Sequence, residues 1–435
     1  MKKTWIFLFC LAATRFLCSQ VPMEKALAEG IRLNLTVQNQ NLNVDSQKLA
    51  LVLANLNRRF SLDFGSSYRF QSQKMEIEIP GASPVPGVTI PGQNISVGTK
   101  HIFDLNLSFK QPLFTGSILK KAVESEEIRL AVEKNTVALR KLDIVSEIKT
   151  SYFNHQFLKN KRKTLETLIK KLGIHYKKQK SLFAEELVRK SDLLETAAGI
   201  QEKKIQLEDL DHLIRAEKIQ FQSLCGLDLD KIESNYIEPE RSFDKAMEDF
   251  VAFHPVIRTL DNNLSLIDTS KAMIKGRSLP QVSAVAELHF GKPGIDYFRN
   301  EWSLYFIGGI QIGLQLFNWN KDNMYLKGLD FNQKKIQNQK EDFIRTAEKQ
   351  LRQLFDRLEV ADNKLVLLDG LLDTTREDIR LKEELLQEQQ ISNLDFLASL
   401  TSEESFLFKK NEMFAQRELV KLNINTITGV FKEAQ

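Results

Sequence analysis

Four stretches of the chain alternate apolar and polar residues with period two. Phe60, Leu62, Phe64, Tyr68 and Phe70 alternate with Ser61, Asp63, Gly65, Ser67 and Arg69. Phe103, Leu105, Leu107 and Phe109 alternate with Asp104, Asn106, Ser108 and Lys110. Val282, Ala284, Ala286, Leu288 and Phe290 form a third row, with Val285 as an exception on its polar side. Trp302, Leu304, Phe306, Ile310, Ile312 and Leu314 form a fourth, opposite Ser303, Gln311 and Gln315. Successive side chains of a strand point to opposite faces, so each row predicts a strand with one dry and one wet side. About ten residues per row is also what a tilted strand needs to cross a bilayer. A soluble, half-buried sheet is the other reading each row allows by itself.

Elsewhere the period is helical. Ile128, Ala131, Ala138, Leu142 and Val145 follow three-and-four spacing, with Asn135 as the polar exception, and make a seam close to coiled-coil period. No proline stands between Pro112 and Pro239, and none follows Pro293. Glycine is nearly absent too, with only Gly173 and Gly199 between 117 and 225 and only Gly370 between 329 and 428. Without these breakers both regions predict long helices. A stretch such as 117–183 would extend about 100 Å, longer than any globular core requires.

The order of strands then helices occurs twice. Leu113-Phe114 and Leu316-Phe317 each close a strand row, and Asp192-Leu193-Leu194 returns as Asp395-Phe396-Leu397, both at an offset of 203 residues. One offset kept over nearly eighty residues predicts an internal duplication, with extra length in the first half confined to a Pro/Gly-rich surface loop.

Lys2 and Lys3 followed by Trp5-Ile6-Phe7-Leu8-Phe9-Cys10-Leu11-Ala12-Ala13 form a secretory leader, too short to span a bilayer, with cleavage expected after Ser19. Acylation of Cys18 is the rival processing route, opposed by the bulky Phe16-Leu17 before it. No later run of 18 apolar residues exists, so any bilayer crossing falls to strands. Removing Lys2, Lys3 and Arg15 with the leader lowers the net charge from +4 to +1, which gives no support for nucleic-acid binding. Cys225 would be the only cysteine left, so no internal disulfide is expected. The six histidines form no metal-ligand motif, and no catalytic residue, cofactor or metal is expected.

Several short strings in order give the chain a recognisable cast. Gln111-Pro112-Leu113-Phe114-Thr115-Gly116 follows a strand row, His254-Pro255 opens a helical stretch, and Arg277-Ser278-Leu279-Pro280 ends it. Asp192-Leu193-Leu194-Glu195-Thr196-Ala197 with its second copy after Asn393, and Leu224-Cys225-Gly226, complete the set. Across essentially the whole mature chain the sequence resembles the TolC family of outer-membrane efflux proteins. The resemblance implies an α+β membrane protein, mainly long α-helical hairpins plus four transmembrane β-strands per chain. Three chains would share one twelve-stranded β-barrel and continue as a helical tunnel through the periplasm. Backbone chemistry asks for something similar: four strands cannot close on themselves, and an open edge in lipid leaves groups unpaired at several kcal/mol each.

On this reading 1–19 is the leader, 20–58 an N-terminal helical segment and 59–112 the first β-hairpin, with an outer loop near 80–98. Residues 113–226 form the first helical hairpin (tip near 184–192), and 227–279 a linker and helical segment. The second β-hairpin is 280–317 and the second helical hairpin 318–435, with its tip near 388–395. Neither tip holds Gly or Pro, so a helix running on through residue 190 competes with a turn; Asp192 with Glu195 has capping-box spacing, and Ser392 or Asn393 are candidate caps.

The function so implied is passive conduction of substrates exported by an inner-membrane pump with a periplasmic adaptor, in efflux or type I secretion. The alternative is an exported structural or adhesive coiled-coil protein. Asp63, Arg69, Asp104, Asn106, Gln311 and Gln315 would wet the barrel lumen. Asp192 and Asp395 are gate candidates, since like charges brought together in a trimer repel and a carboxylate ring biases cation passage, or each simply caps a helix. The second acidic residue and the basic partner that the family carries near the second tip are missing here, where Ala398 and Gln389-Gln390-Ile391 stand. Arg189, Lys190 and Asn393 are the remaining tip candidates. Trp302 and Trp319, with Tyr297, Phe298 and Phe317, suit aromatic girdles at the membrane interfaces.

Overall fold

The computed structural model describes residues 21–233 and 236–429. The expected leader and Cys18 lie outside the described residues. In chain order the elements are α1 (Met23–Leu33), α2 (Leu35–Leu56), β1 (Ser61–Phe70), β2 (Met75–Ile79), β3 (Ala82–Val85), β4 (Val88–Ile90), β5 (Gln93–Val97) and β6 (His101–Thr115). There follow α3 (Ile118–Ala184), α4 (Lys190–Cys225), α5 (Phe243–Phe253), α6 (Pro255–Arg277), β7 (Gln281–Lys292), β8 (Ser303–Gly313), α7 (Lys321–Gln387) and α8 (Asn393–Thr428). The chain forms two compact units. One holds the described residues to Leu42, Lys134–Arg258 and those from Lys340 onward; the other holds Asn43–Glu133 and Thr259–Gln339.

The second unit contains an antiparallel sheet in the order β1-β6-β7-β8, open at β1 and β8. Its register brings the four alternating rows into two common faces. Gly65, Asn106, His289 and Tyr305 stand in one cross-strand line, and Asp63, Ser108, Glu287 and Ile307 in another. On the opposite face Phe64, Leu107, Leu288 and Phe306 line up. That apolar face is bare: Phe64 is 72% exposed and Phe306 67%. Among the described residues no layer covers it. Leu316-Phe317, read as closing the fourth row, and Gln315 fall beyond β8, which ends at Gly313.

The Pro/Gly-rich stretch expected as a loop carries two small ladders, β2 with β5 and β3 with β4, turning at Gly87 with φ +95°. Pro84 is tolerated in β3 because a two-stranded sheet has only edges. At the base of the large sheet Gly116 and Gly276 meet backbone to backbone. A Cβ on Gly276 would sit 2.4 Å from the Gly116 carbonyl oxygen, so both positions require glycine.

In the first unit the helical portions pack as paired hairpins. α3 and α7 have 67 residues each, α4 and α8 36 each, and every one of these boundaries is displaced by the same 203 residues. Outside the small ladders between β1 and β6, the positive-φ positions share that displacement: Gly116 and Trp319, Ser117 and Asn320, Glu186 and Gln389, and Gly226 and Gly429. Leu168, Leu172, Phe396 and Leu400 form one buried cluster, and Phe250, Ile257 and Ala347 another. Buried charges pin the linker after α4. Lys149 pairs with Glu238 at 3.1 Å, and the Glu238 N–H donates to Glu418 at 2.9 Å. Lys421 bridges Glu418 and Glu240 at 3.2 and 2.7 Å, so these buried charges face an opposite partner.

Candidate functional site

The chain between α3 and α4 and that between α7 and α8 are both five residues long, 185–189 and 388–392. α3 and α7 end in the same hydrogen-bond pair. Leu187 N–H donates to Leu182 O at 2.9 Å and Glu186 N–H to Phe183 O at 3.0 Å; Gln390 N–H donates to Leu385 O at 2.9 Å and Gln389 N–H to Leu386 O at 3.2 Å. This Schellman closure needs a left-handed residue, a place glycine usually takes. Here Glu186 (φ 58°) and Gln389 (φ 59°) occupy it, which is why no glycine marks the turns.

Both tip aspartates stand at the third position of the following helix and act on its cap. Asp395 Oδ2 accepts from the Ser392 hydroxyl at 2.6 Å and from its N–H at 3.3 Å, while Ser392 Oγ accepts from Asp395 N–H at 3.1 Å. Those donors hold the Asp395 carboxyl below the usual carboxylate range. Asp192 completes only half of the arrangement, accepting from Arg189 N–H at 3.2 Å, because an arginine side chain has no acceptor to return. Arg189 and Lys190 extend their side chains to solvent.

Asn393, a candidate cap in the sequence, is instead the first residue of α8 and buried, and Ser392 holds the cap. Its Oδ1 accepts from Gln179 Nε2 at 2.6 Å and from His175 Nε2 at 2.9 Å, both on α3. Its Nδ2 donates to Asp192 O at 3.2 Å and lies 3.4 Å from both Glu195 Oε2 and Thr196 Oγ1 on α4. One amide thus ties the second hairpin to both helices of the first. Burial pushes the His175 imidazole down, against the opposing Asn393 bond and with the help of nearby Lys178. A cavity of about 310 Å³ opens beside the knot, lined by His175, Gln179, Arg189, Asp192, Leu386 and Ile391 among others. Gln389 reaches across to Leu187 O at 3.4 Å. Sequence reasoning missed His175 and Gln179; only their position on the apolar seam beneath the tip marks them.

The second candidate surface is the polar face of the sheet. Asp63, Arg69, Asp104, Asn106 and Gln311 all share it by register, whereas Gln315 lies outside the strand. Lys110, Glu287, His289 and Tyr305, not counted among the lumen candidates, share it as well. His289 Nδ1 is 3.0 Å from Asp104 Oδ1 and Nε2 is 3.1 Å from Glu287 Oε2, with the Tyr305 ring stacked at 4.9 Å. The signal for Glu287 and His289 was the alternation of the third row itself.

No family model matches the sequence, and no curated protein matches it. Solved structures do. CusC, described for the conformational changes of folding and transmembrane channel formation, is similar over 94% of this chain and 92% of its own, at 14% identity and TM-score 0.74. The outer-membrane protein VceC of Vibrio cholerae matches at 13% identity and TM-score 0.70, covering 94% of this chain and 96% of its own. The MtrE outer-membrane channel of Neisseria gonorrhoeae, in its open state, matches at 13% identity and TM-score 0.71, covering 94% and 88%. The chain has the TolC-like fold. In that TolC-like frame, identity this low speaks for architecture alone, so the tip knot and the polar sheet face rest on this chain's own geometry. No described helix is long and apolar enough to cross a membrane.

Proposed function

We propose that the chain is one third of an outer-membrane channel that extends into the periplasm and passively conducts substrates for export. One observation supports this above all: a four-stranded sheet with two open edges, one apolar face whose large side chains from Phe64 to Phe306 are largely exposed, and one polar face lined with charge. Lipid suits the first face and water the second, and the open edges call for two further copies to complete twelve strands. Helices of 67 residues, about 100 Å, supply the periplasmic conduit, and the matched lengths and irregularities support descent of the two halves from one duplicated unit. A periplasmic adaptor and an inner-membrane transporter are the partners this reading requires, for efflux or type I secretion. The chain itself performs no chemistry.

In this scheme the leader, the strand hairpins and the helical hairpins divide the chain near the boundaries given from the sequence, except that the first strand hairpin runs on to Thr115 and the second ends at Gly313. Polar Asp63, Arg69, Asp104, Asn106 and Gln311 face the lumen, and three copies of Asp192 and Asp395 ring the periplasmic opening beside Arg189 and Lys190. Cap duty and ring duty are compatible, since a capping carboxylate keeps its charge. Fractionation tests the whole reading: the mature protein should sediment with outer membranes, run as a trimer in detergent and form conducting pores in planar bilayers. A soluble periplasmic monomer without conductance overturns it in favour of a structural coiled-coil protein. Asp395→Ala tests the ring, and unchanged ion selectivity and closure would remove Asp395 from the gate.

A further inference from the structure

On the polar face of the large sheet one histidine stands between two carboxylates. His289 Nδ1 lies 3.0 and 3.2 Å from the two oxygens of Asp104, its diagonal neighbour on β6. Its Nε2 lies 3.1 Å from Glu287 Oε2, two residues earlier on β7. From β8 the Tyr305 ring stacks on the imidazole at 4.9 Å, with 6° between the planes. The two nitrogens therefore meet different carboxylates. As imidazolium the ring donates to both; as neutral imidazole it carries one ring proton and donates to one. The His289 side chain keeps 12% of its surface open, so water and protons reach it.

The charge of the whole face is nearly balanced around this residue. By register the strands place Asp63, Asp104 and Glu287 on this side, against Lys110 and Arg69. Among the described residues of the four strands no other charged side chain shares the face, and β8 adds only uncharged ones such as Tyr305 and Gln311. Three carboxylates against two bases leave −1 per chain when His289 is neutral and 0 when it is protonated. The acids are also gathered. Asp63 and Glu287 occupy one cross-strand row, His289 the next and Asp104 the one beyond, while Lys110 and Arg69 stand outside them at opposite ends. His289 is thus the centre of an acidic belt.

We propose that His289 sets the ion selectivity of the barrel lumen: neutral, it leaves the acidic belt selective for cations, and protonated, it cancels that preference. The inference rests on the shared-barrel reading and names the residue that decides which ions the barrel favours. Twelve strands about 4.8 Å apart and tilted about 40° place the backbone about 12 Å from the barrel axis, and side chains reaching about 5 Å inward bring the belt to about 7 Å. That is shorter than the screening length of about 8 Å at physiological salt, so the wall charge is felt across the whole bore. At this range each wall charge enriches a monovalent cation on the axis about 1.5-fold, and one from each of three copies about three- to fourfold. Rings of charged side chains are a general means of selecting ions in a pore.

Reversal potentials of the full-length protein in planar bilayers test this, across a potassium chloride gradient, between about pH 8 and about pH 5.5, where ordinary carboxylates stay ionised. The potassium-to-chloride permeability ratio should fall at least about threefold on acidification at about 0.1 M salt. Most of that change should vanish at about 1 M, where the screening length drops to about 3 Å. His289→Gln should hold the high-pH ratio at both pH values, and His289→Lys the low-pH ratio. A pH-independent ratio in the unmodified protein, or a drift that persists in His289→Gln, overturns the inference and leaves the channel standing. Should His289→Gln fail to insert, His289→Lys decides, since a ratio that still moves with pH in that variant overturns the inference equally. An unmodified protein that conducts nothing defeats the channel reading, and the inference with it.

Discussion

Replacing Asn393 by alanine isolates the tie between the two hairpin tips. The substitution removes two strong hydrogen bonds to Oδ1, from Gln179 at 2.6 Å and His175 at 2.9 Å, and one good donation to Asp192 O at 3.2 Å. The contacts to Glu195 and Thr196, both at 3.4 Å, are too long to count fully. Three bonds at a net of about 0.5–1.5 kcal/mol each set the loss near 3 kcal/mol. Alanine's better helix propensity returns about 0.5 kcal/mol. Gln179 is the group most penalised, being buried with its own Oε1 already lacking a partner, so a net loss of about 2–3 kcal/mol is expected. Amide hydrogen exchange reads this locally: protection at 185–192 and 388–396 should fall by about one to two orders of magnitude while protection around Lys149 and Glu418 stays unchanged. Asn393→Asp should cost at least as much as alanine, since its second carboxylate oxygen would face the Asp192 carbonyl and the Glu195 carboxylate, which only a donor satisfies, in a buried site. If Asn393→Ala leaves tip exchange within a factor of about three, under 1 kcal/mol, the knot does not hold the hairpins together.

Three further substitutions probe other parts of the argument. Gly276→Ala pushes a Cβ to 2.4 Å from a backbone oxygen that has no side-chain freedom to yield, and should cost about 1–3 kcal/mol by thermal denaturation, with loss of folded yield. Gln389→Gly removes the left-handed strain of a residue with a Cβ and should raise stability by up to about 1 kcal/mol, as should Glu186→Gly. His254 is buried against Phe250 and Phe343, its Nδ1 accepting from Val256 N–H at 3.2 Å, and burial pushes its pKa down to about 4 from an ordinary 6.5. The unfolded chain therefore takes up the proton first. Stability should be level above about pH 6.5 and fall by up to about 3 kcal/mol toward pH 4, while His254→Gln should flatten that dependence in urea titrations.

Period-two rows and breaker-free stretches belong to neighbouring residues, so the strand and helix content was written in the chain. An offset of 203 residues between Asp192 and Asp395 is also local bookkeeping, and the same offset separates the helix boundaries and the positive-φ sites. Other features had no local mark. A left-handed Glu186 or Gln389 looks like any other helix former, and the turn it makes depends on hydrogen bonds that only a completed helix end offers. Asn393 reads as a cap by residue type, but contacts to His175 and Gln179 across more than 200 residues bury it in the knot. Alternation says that Asp104 and His289 each face one side of a strand; only the β6–β7 register, joining positions 185 residues apart, puts their side chains within 3.0 Å. Local periodicity determines which face a side chain occupies, because backbone geometry repeats every two or 3.6 residues. Which faces meet is a matter of packing between distant segments, and that was decided in the tertiary structure alone.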